Sequence, residues 1–278
     1  MKKTFILSAF AAIVVVACGQ TPEERIKAYE EAHDAMMKEY RATMDSIATD
    51  REKVEAYYND FVEKYIAFNL DAAKNNPDND VAIQVLRNLR GLIDDEQTAE
   101  ILAGMSPEML ENDQVQALKK GLEARLATAE GKMFVDFTVN SVVGQTRSVP
   151  PQPKYAEVKL SDYVGKGKYI LLDFWSPWCG PCRREMPNIK AVYDKYKGEK
   201  FDVVSIAVWE RESVDVTIET AAKLGMDWNQ INNGQREPAQ LYGVEGIPHL
   251  ILFGPDGTIL KRGFHGAEIE EIVSSYLK

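Results

Sequence analysis

Cysteine and histidine are scarce in this chain: three of each in 278 residues. Three cysteines exclude the crossed disulfide framework that holds many small exported domains together. Cys179 and Cys182 stand so close in sequence that a bond between them closes almost no loop and removes little entropy from the unfolded chain. His33, His249 and His265 are far apart, and no further cysteine lies near the pair, so a zinc site lacks ligands. No metal or other cofactor is expected. Thiol-disulfide exchange is the chemistry that such a pair still allows. Long apolar runs are missing too: Phe5 to Ala17 falls short of the roughly 20 residues that a membrane-spanning helix needs. Positive charge is in deficit, with 33 Lys and Arg against 43 Asp and Glu, a net charge of -10. The two signs are interspersed with no basic patch, so a phosphate backbone is repelled and no nucleic-acid partner is expected.

What is present begins with an address. Lys2 and Lys3, the apolar run and then Cys18 read as an export signal. Val15-Val16-Ala17-Cys18 resembles a lipobox, the bacterial lipoprotein signal. That resemblance implies removal of residues 1–17, lipidation of Cys18, a short tether over 18–21 and attachment to a membrane through the lipid. Losing Lys2 and Lys3 would take the net charge from -10 to -12. A plain secretory peptide cut near Ala17 or Gly19 is the competing reading. Gly19 stands where the best-known inner-membrane retention signal has Asp, which leans towards a periplasm-facing place at the outer membrane.

Residues 22–130 read as an all-helical domain. Ile26, Tyr29, His33, Met36, Tyr40, Met44 and Ile47 recur at steps of three and four, one face of a helix that opens at Pro22 with Glu23 and Glu24 at its positive end. Val54 to Phe68 repeats the pattern, residues 74–80 break it, and Val81, Val85 and Leu89 begin a third helix that Gly91 ends. Residues 95–103 form a short helix. Ser106 caps another, with Pro107 in its first turn and a stripe of Leu110, Val115, Leu118, Leu122 and Leu126. His33 lies on an apolar face, as a packed histidine rather than a ligand. No catalytic constellation is visible here.

From Gly131 the period changes. Phe134 to Val142 alternates weakly as an extended segment, and residues 149–153 make a stiff proline loop. Tyr169 to Phe174 is apolar except for Asp173, as in a central strand covered on both faces. A helix over Pro187 to Tyr196, a strand over Phe201 to Val208 and a helix over 213–224 follow. Strands 247–253 and 259–263 are joined by the turn sequence Gly254-Pro255-Asp256-Gly257, and a helix over 268–277 closes the chain. This order predicts an α/β domain over 131–278, with a mixed sheet flanked by helices.

Trp175-Ser176-Pro177-Trp178-Cys179-Gly180-Pro181-Cys182-Arg183-Arg184-Glu185-Met186-Pro187, with the later Ile247-Pro248, resembles the active site of thioredoxin-like proteins. The nearest type is the TlpA/ResA group of extracytoplasmic reductases that serve cytochrome c maturation, with the AhpC/TSA-labelled lipoproteins of Bacteroides-like bacteria. The likeness covers roughly 131–278, and residues 61–130 resemble the segment that precedes the domain in those lipoproteins. Their β-rich N-terminal domain is absent, its place taken by the helices of residues 22–68. No Pro-x-x-x-Thr-x-x-Cys pattern occurs, which speaks against a peroxidase.

The resemblance implies a thioredoxin fold over residues 131–278 and assigns roles. Cys179 is the attacking sulfur at the start of a helix, where free N–H groups favour the thiolate, and Cys182 resolves the mixed disulfide. Asp173 matches the buried aspartate that exchanges a proton with the inner cysteine. Glu185 matches a glutamate that tunes the pair, an exposed helix residue being the alternative. Trp178 shields the disulfide, Gly180 and Pro181 shape the helix start, and Pro248 resembles the cis-proline whose bond leaves the preceding residue, here Ile247, free to pair with substrate backbone, although the isomer itself is not visible in the sequence. Trp175 packs structurally. His249 offers either a switchable charge or an ordinary strand histidine. The implied partners are disulfide-containing exported proteins, apocytochrome c among them, and a membrane thiol relay as electron donor. An oxidant or isomerase, or a lipoprotein adaptor that works through its helices without catalysis, remains open.

Overall fold

The structure is a computed structural model that describes residues 19–145, 147 and 152–277. The expected signal segment, the lipidation candidate Cys18 and residues 149–151 of the proline loop lie outside the described residues. Two compact units are present, one up to Lys120 and one from Gly121.

The first unit is helical: α1 Pro22–Ile47, α2 Arg51–Lys74, α3 Val81–Asn88, α4 Asp95–Ala103, α5 Pro107–Leu110 and the start of α6 Asp113–Ala127. Thr21 and Glu24 form a reciprocal cap on α1, and Asp50 caps α2. The single helix expected after Ser106 is in fact two. Asn112 interrupts it and turns its carboxamide oxygen onto the Gln114 N–H at 2.8 Å, so a new helix starts where the old one would have continued. The stripe predicted across this region therefore fails at its end: Val115 and Leu122 are buried, but Leu126 is 46% exposed. His33 packs as expected, its Nε2 3.0 Å from the Tyr65 hydroxyl.

The second unit holds seven strands: β1 Thr138–Gln145, β2 Pro153–Lys159, β3 Tyr169–Trp175, β4 Phe201–Ala207, β5 Asn229–Ile231, β6 His249–Phe253 and β7 Ile259–Arg262. β1 and β2 form an antiparallel pair of their own. The others form one sheet in the order β5-β4-β3-β6-β7, with β4 parallel to β3 and β5, and β6 antiparallel to β3 and β7. Helices α7 Gly180–Tyr196, α8 Val214–Lys223, α9 Glu237–Leu241 and α10 Glu268–Tyr276 complete it. An all-helical region followed by a mixed sheet flanked by helices is the architecture the sequence predicted. β2, β5 and α9 were not visible there: β2 is mostly exposed, and the other two are only three and five residues long.

β3 lies at the centre and its alternation divides the core. Ile170, Leu172 and Phe174 face one cluster with Val204, Ile206, Tyr242, Ile251 and Phe253. Leu171 and Trp175 face the other, with Met186 and Ile189 of α7 and Ile269 and Val273 of α10. Asp173, between Leu171 and Trp175, shares the α7 face.

The end of β4 is held by a close backbone approach. The Gly234 N–H donates to the Ala207 carbonyl at 2.8 Å, and a Cβ at Gly234 would fall 2.5 Å from that oxygen and 2.7 Å from Ile206 Cγ1. Both neighbours are buried and cannot withdraw. Gly234→Ala is expected to cost about 1–3 kcal/mol, read as a lowered urea midpoint with an unchanged denaturant slope.

Candidate active site

β3 ends at Trp175, and the chain turns through Ser176, Pro177 and Trp178 into α7. The Ser176 hydroxyl donates to the Val208 carbonyl, and the Val208 N–H donates to the Trp175 carbonyl at 2.9 Å, so the turn is tied to the end of β4. Cys179 is the N-cap of α7: its sulfur accepts the Cys182 N–H at 3.1 Å. Pro181 sits in the first turn, where its missing N–H is not needed. Cys179 and Cys182 are joined, with S–S 2.10 Å and Cα–Cα 5.3 Å. Both are buried, Cys182 completely.

Beneath the pair's helix lies Asp173, with no solvent exposure. The register places it beside Ser205, whose hydroxyl donates to Oδ2 at 2.8 Å and itself accepts the Trp228 indole N–H at 2.8 Å. Oδ1 has no hydrogen-bond partner among the described residues. Burial therefore pushes the carboxyl from its ordinary 3.8 up to about 7; the Ser205 bond opposes this, and the charge of Glu185 adds to it. Glu185 is nearly buried rather than an exposed helix residue. Its Oε1 accepts from the Gly266 N–H at 2.9 Å and the Asn188 amide at 2.8 Å, while Oε2 lies 4.0 Å from His265 Nδ1.

Opposite the disulfide is the cis Ile247-Pro248 bond. The Cys179 sulfur lies 3.6 Å from the Ile247 carbonyl oxygen, a contact that becomes a donated bond only when the sulfur carries a proton. Pro181, Arg184, Glu185, Pro248 and His265 line a cleft of about 350 Å³. Trp178 donates its indole N–H to the Trp209 carbonyl at 3.0 Å, and the Arg211 guanidinium stacks over its ring at 3.8 Å. Trp175 is fully buried, as its structural role requires.

His249 does not offer a switchable charge. Its Nε2 accepts from the Arg262 guanidinium at 3.2 Å, and burial, with the charges of Arg262 and His265, lowers its pKa to about 3. Arg262 also donates to Thr128 and to the Tyr242 carbonyl, so His249 serves packing. Among the described residues no group of side chains could hold a metal ion, and no helix is long and apolar enough to cross a membrane.

A model of the AhpC/TSA family matches residues 131–262. The thiol-disulfide oxidoreductase ResA of Bacillus thuringiensis subsp. konkukian is 28% identical over 149 residues, 53% of this chain and 76% of that protein. The C-terminal domain is a thioredoxin-like thiol-disulfide oxidoreductase domain. It stands in the superfamily of the ResA-, TlpA- and AhpC/TSA-type proteins. The ResA of Geobacillus kaustophilus is 28% identical over 155 residues, 55% of this chain and 79% of its own. Among solved structures, the thioredoxin domain of a thiol-disulfide oxidoreductase from Bacteroides vulgatus is 24% identical with a TM-score of 0.45, covering 54% of this chain and 99% of that one.

Sequence reasoning named Asp173 and Glu185 in this thioredoxin-like domain but missed their partners. Ser205 was legible in principle: it is the fifth residue of β4 as Asp173 is the fifth of β3, and the two strands run parallel in register. Gly266 and His265 come from a distant loop and carry no local signal.

The raised pKa of Asp173 makes the fold pH-dependent. Between about pH 4 and 7 the native chain holds a proton that the unfolded chain has lost, so stability is highest below that window, falls across it and is flat above. Urea unfolding of the oxidised protein is expected to give a lower midpoint at pH 8 than at pH 5. Asp173→Asn should abolish most of that difference, by up to a few kcal/mol; an equal slope in both proteins would contradict the assignment.

Proposed function

We propose that this protein is an extracytoplasmic thiol-disulfide oxidoreductase that reduces disulfides of exported proteins, with electrons supplied by a membrane thiol relay. The observation that carries this reading is the Cys179–Cys182 disulfide at the first turn of α7, facing the Ile247-Pro248 segment. In the reduced protein the Cys179 thiolate attacks a substrate disulfide, forms a mixed disulfide and expels one substrate thiolate. Cys182 then attacks Cys179, the second substrate thiolate leaves, and two electrons have passed to the substrate.

The N–H groups at the start of α7 favour the thiolate on Cys179. Asp173 exchanges a proton with Cys182 as the bond opens and closes, for which a carboxyl titrating at about 7 is matched to neutral pH. Glu185 tunes the pair through its effect on Asp173. Trp178 covers the disulfide, Gly180 and Pro181 keep the helix start tight, and the Ile247 backbone pairs with bound polypeptide beside Pro248.

The export signal and the lipobox-like Cys18 support a periplasm-facing lipoprotein, with the outer membrane favoured by Gly19. Resemblance to the cytochrome-maturation type supports apocytochrome c, whose haem site is a Cys-x-x-Cys-His segment, as one substrate.

The equilibrium reduction potential of Cys179/Cys182, measured in defined thiol buffers on the chain from Gly19 with Cys179→Ser as control, tests the direction. A value near or below about -250 mV is expected of a reductase. A value above about -180 mV would reassign the protein to disulfide formation or isomerisation.

A further inference from the structure

The charge around the disulfide runs against the charge of the chain. Overall the protein carries -10. Helices α1, α2, α4, α5, α6, α8, α9 and α10 place acidic residues in their first turn, where the helix dipole favours them. α3 and α7 have none there, and in α7 Arg183 and Arg184 directly follow Cys182 instead. Cations at that end oppose the dipole, so folding does not account for them.

Both arginines are exposed, and the Arg184 guanidinium lies 3.6 Å from where a Cβ on Gly180 would stand, over the first residue of the helix. A third cation arrives independently from the loop between β4 and α8: exposed Arg211, stacked on Trp178 next to Cys179. Arg183, Arg184 and Arg211 make no ion pair among the described residues. The nearby carboxylates are largely engaged. Glu185 holds Gly266 and Asn188, Glu245 pairs with Arg125 at 2.6 Å, and Glu210 accepts the Gln235 N–H; Glu212 remains exposed.

We propose that Arg183, Arg184 and Arg211 form a cationic rim that selects polypeptides carrying carboxylates beside their disulfide. At physiological salt the screening length is about 8 Å, so the distant acidic surface is muted while the rim acts at contact range. Arg184 also lines the cleft next to Pro248, which places it beside the expected path of a bound chain. The rim orients the acidic partner over Cys179; the two-electron exchange itself is the one described above, on which this inference rests.

The test uses full-length mature protein, reduced by dithiothreitol, with three disulfides: neutral hydroxyethyl disulfide and two short peptides, one with Glu and one with Lys flanking the same intramolecular disulfide. Reaction with the neutral disulfide checks the oxidoreductase reading; if none is seen, that reading and this inference fall together. If it reacts, the acidic peptide should exceed the basic one by roughly tenfold in second-order rate near 0.1 M salt. That ratio should approach one near 1 M, where screening extends over only about 3 Å. Arg184→Gln and Arg211→Gln should each lower the ratio. A ratio of one or less near 0.1 M, with the neutral disulfide still reduced, overturns the rim while leaving the oxidoreductase in place.

Discussion

The site depends on β3 being buried on both faces. A strand with that constraint has no place for an ionised side chain, yet Asp173 stands in its middle, fully buried and aimed at the side that α7 covers. Burial, with the charge of Glu185 adding to it and the single Ser205 hydroxyl bond only partly offsetting it, makes its proton bind far more tightly than on an exposed aspartate. The same strand ends at Trp175, and the tie between that residue and Val208 sets where α7 can begin. Position of the disulfide and state of the carboxyl thus follow from one element.

Around that element the cysteines differ in what they can do. Cys179 caps the helix and touches the Ile247 carbonyl on the side where substrate backbone would lie, whereas Cys182 is fully enclosed in the core with Met186 and Ile189. The short loop between them contributes little to stability. Glu185, one turn on, is fastened by the Gly266 N–H from the loop before α10, so its charge is held near Asp173 rather than free to move in solvent.

Most of this was legible in the sequence because the signals are local. The apolar run with one aspartate shows in its pattern, whereas the helix start at Cys179 and the role of Ile247-Pro248 come from the resemblance to thioredoxin-like active sites; the pattern alone begins the helix at Pro187, seven residues after the observed start at Gly180. What stayed hidden is what only tertiary packing creates. Ser205 meets Asp173 through strand register, Arg262 reaches His249 from the neighbouring strand, and Arg211 finds Trp178 from another loop. His249 shows the cost: next to a proline in the cleft its sequence leaves a switchable charge and an ordinary strand histidine both open, and only its burial together with the Arg262 contact decides for the neutral strand histidine. Likewise the long helix expected after Ser106 fails at Asn112, whose side chain competes with the backbone.

In the proposed cycle Asp173 shares its proton with the redox pair. Carbon-13 chemical-shift titration of its carboxyl, in the oxidised and the reduced protein, tests that role. The expected result is a midpoint near 7 in the oxidised form, displaced when reduction brings the Cys182 thiol into play. A midpoint near 4, the ordinary aspartate value, or one identical in both redox states, would contradict it.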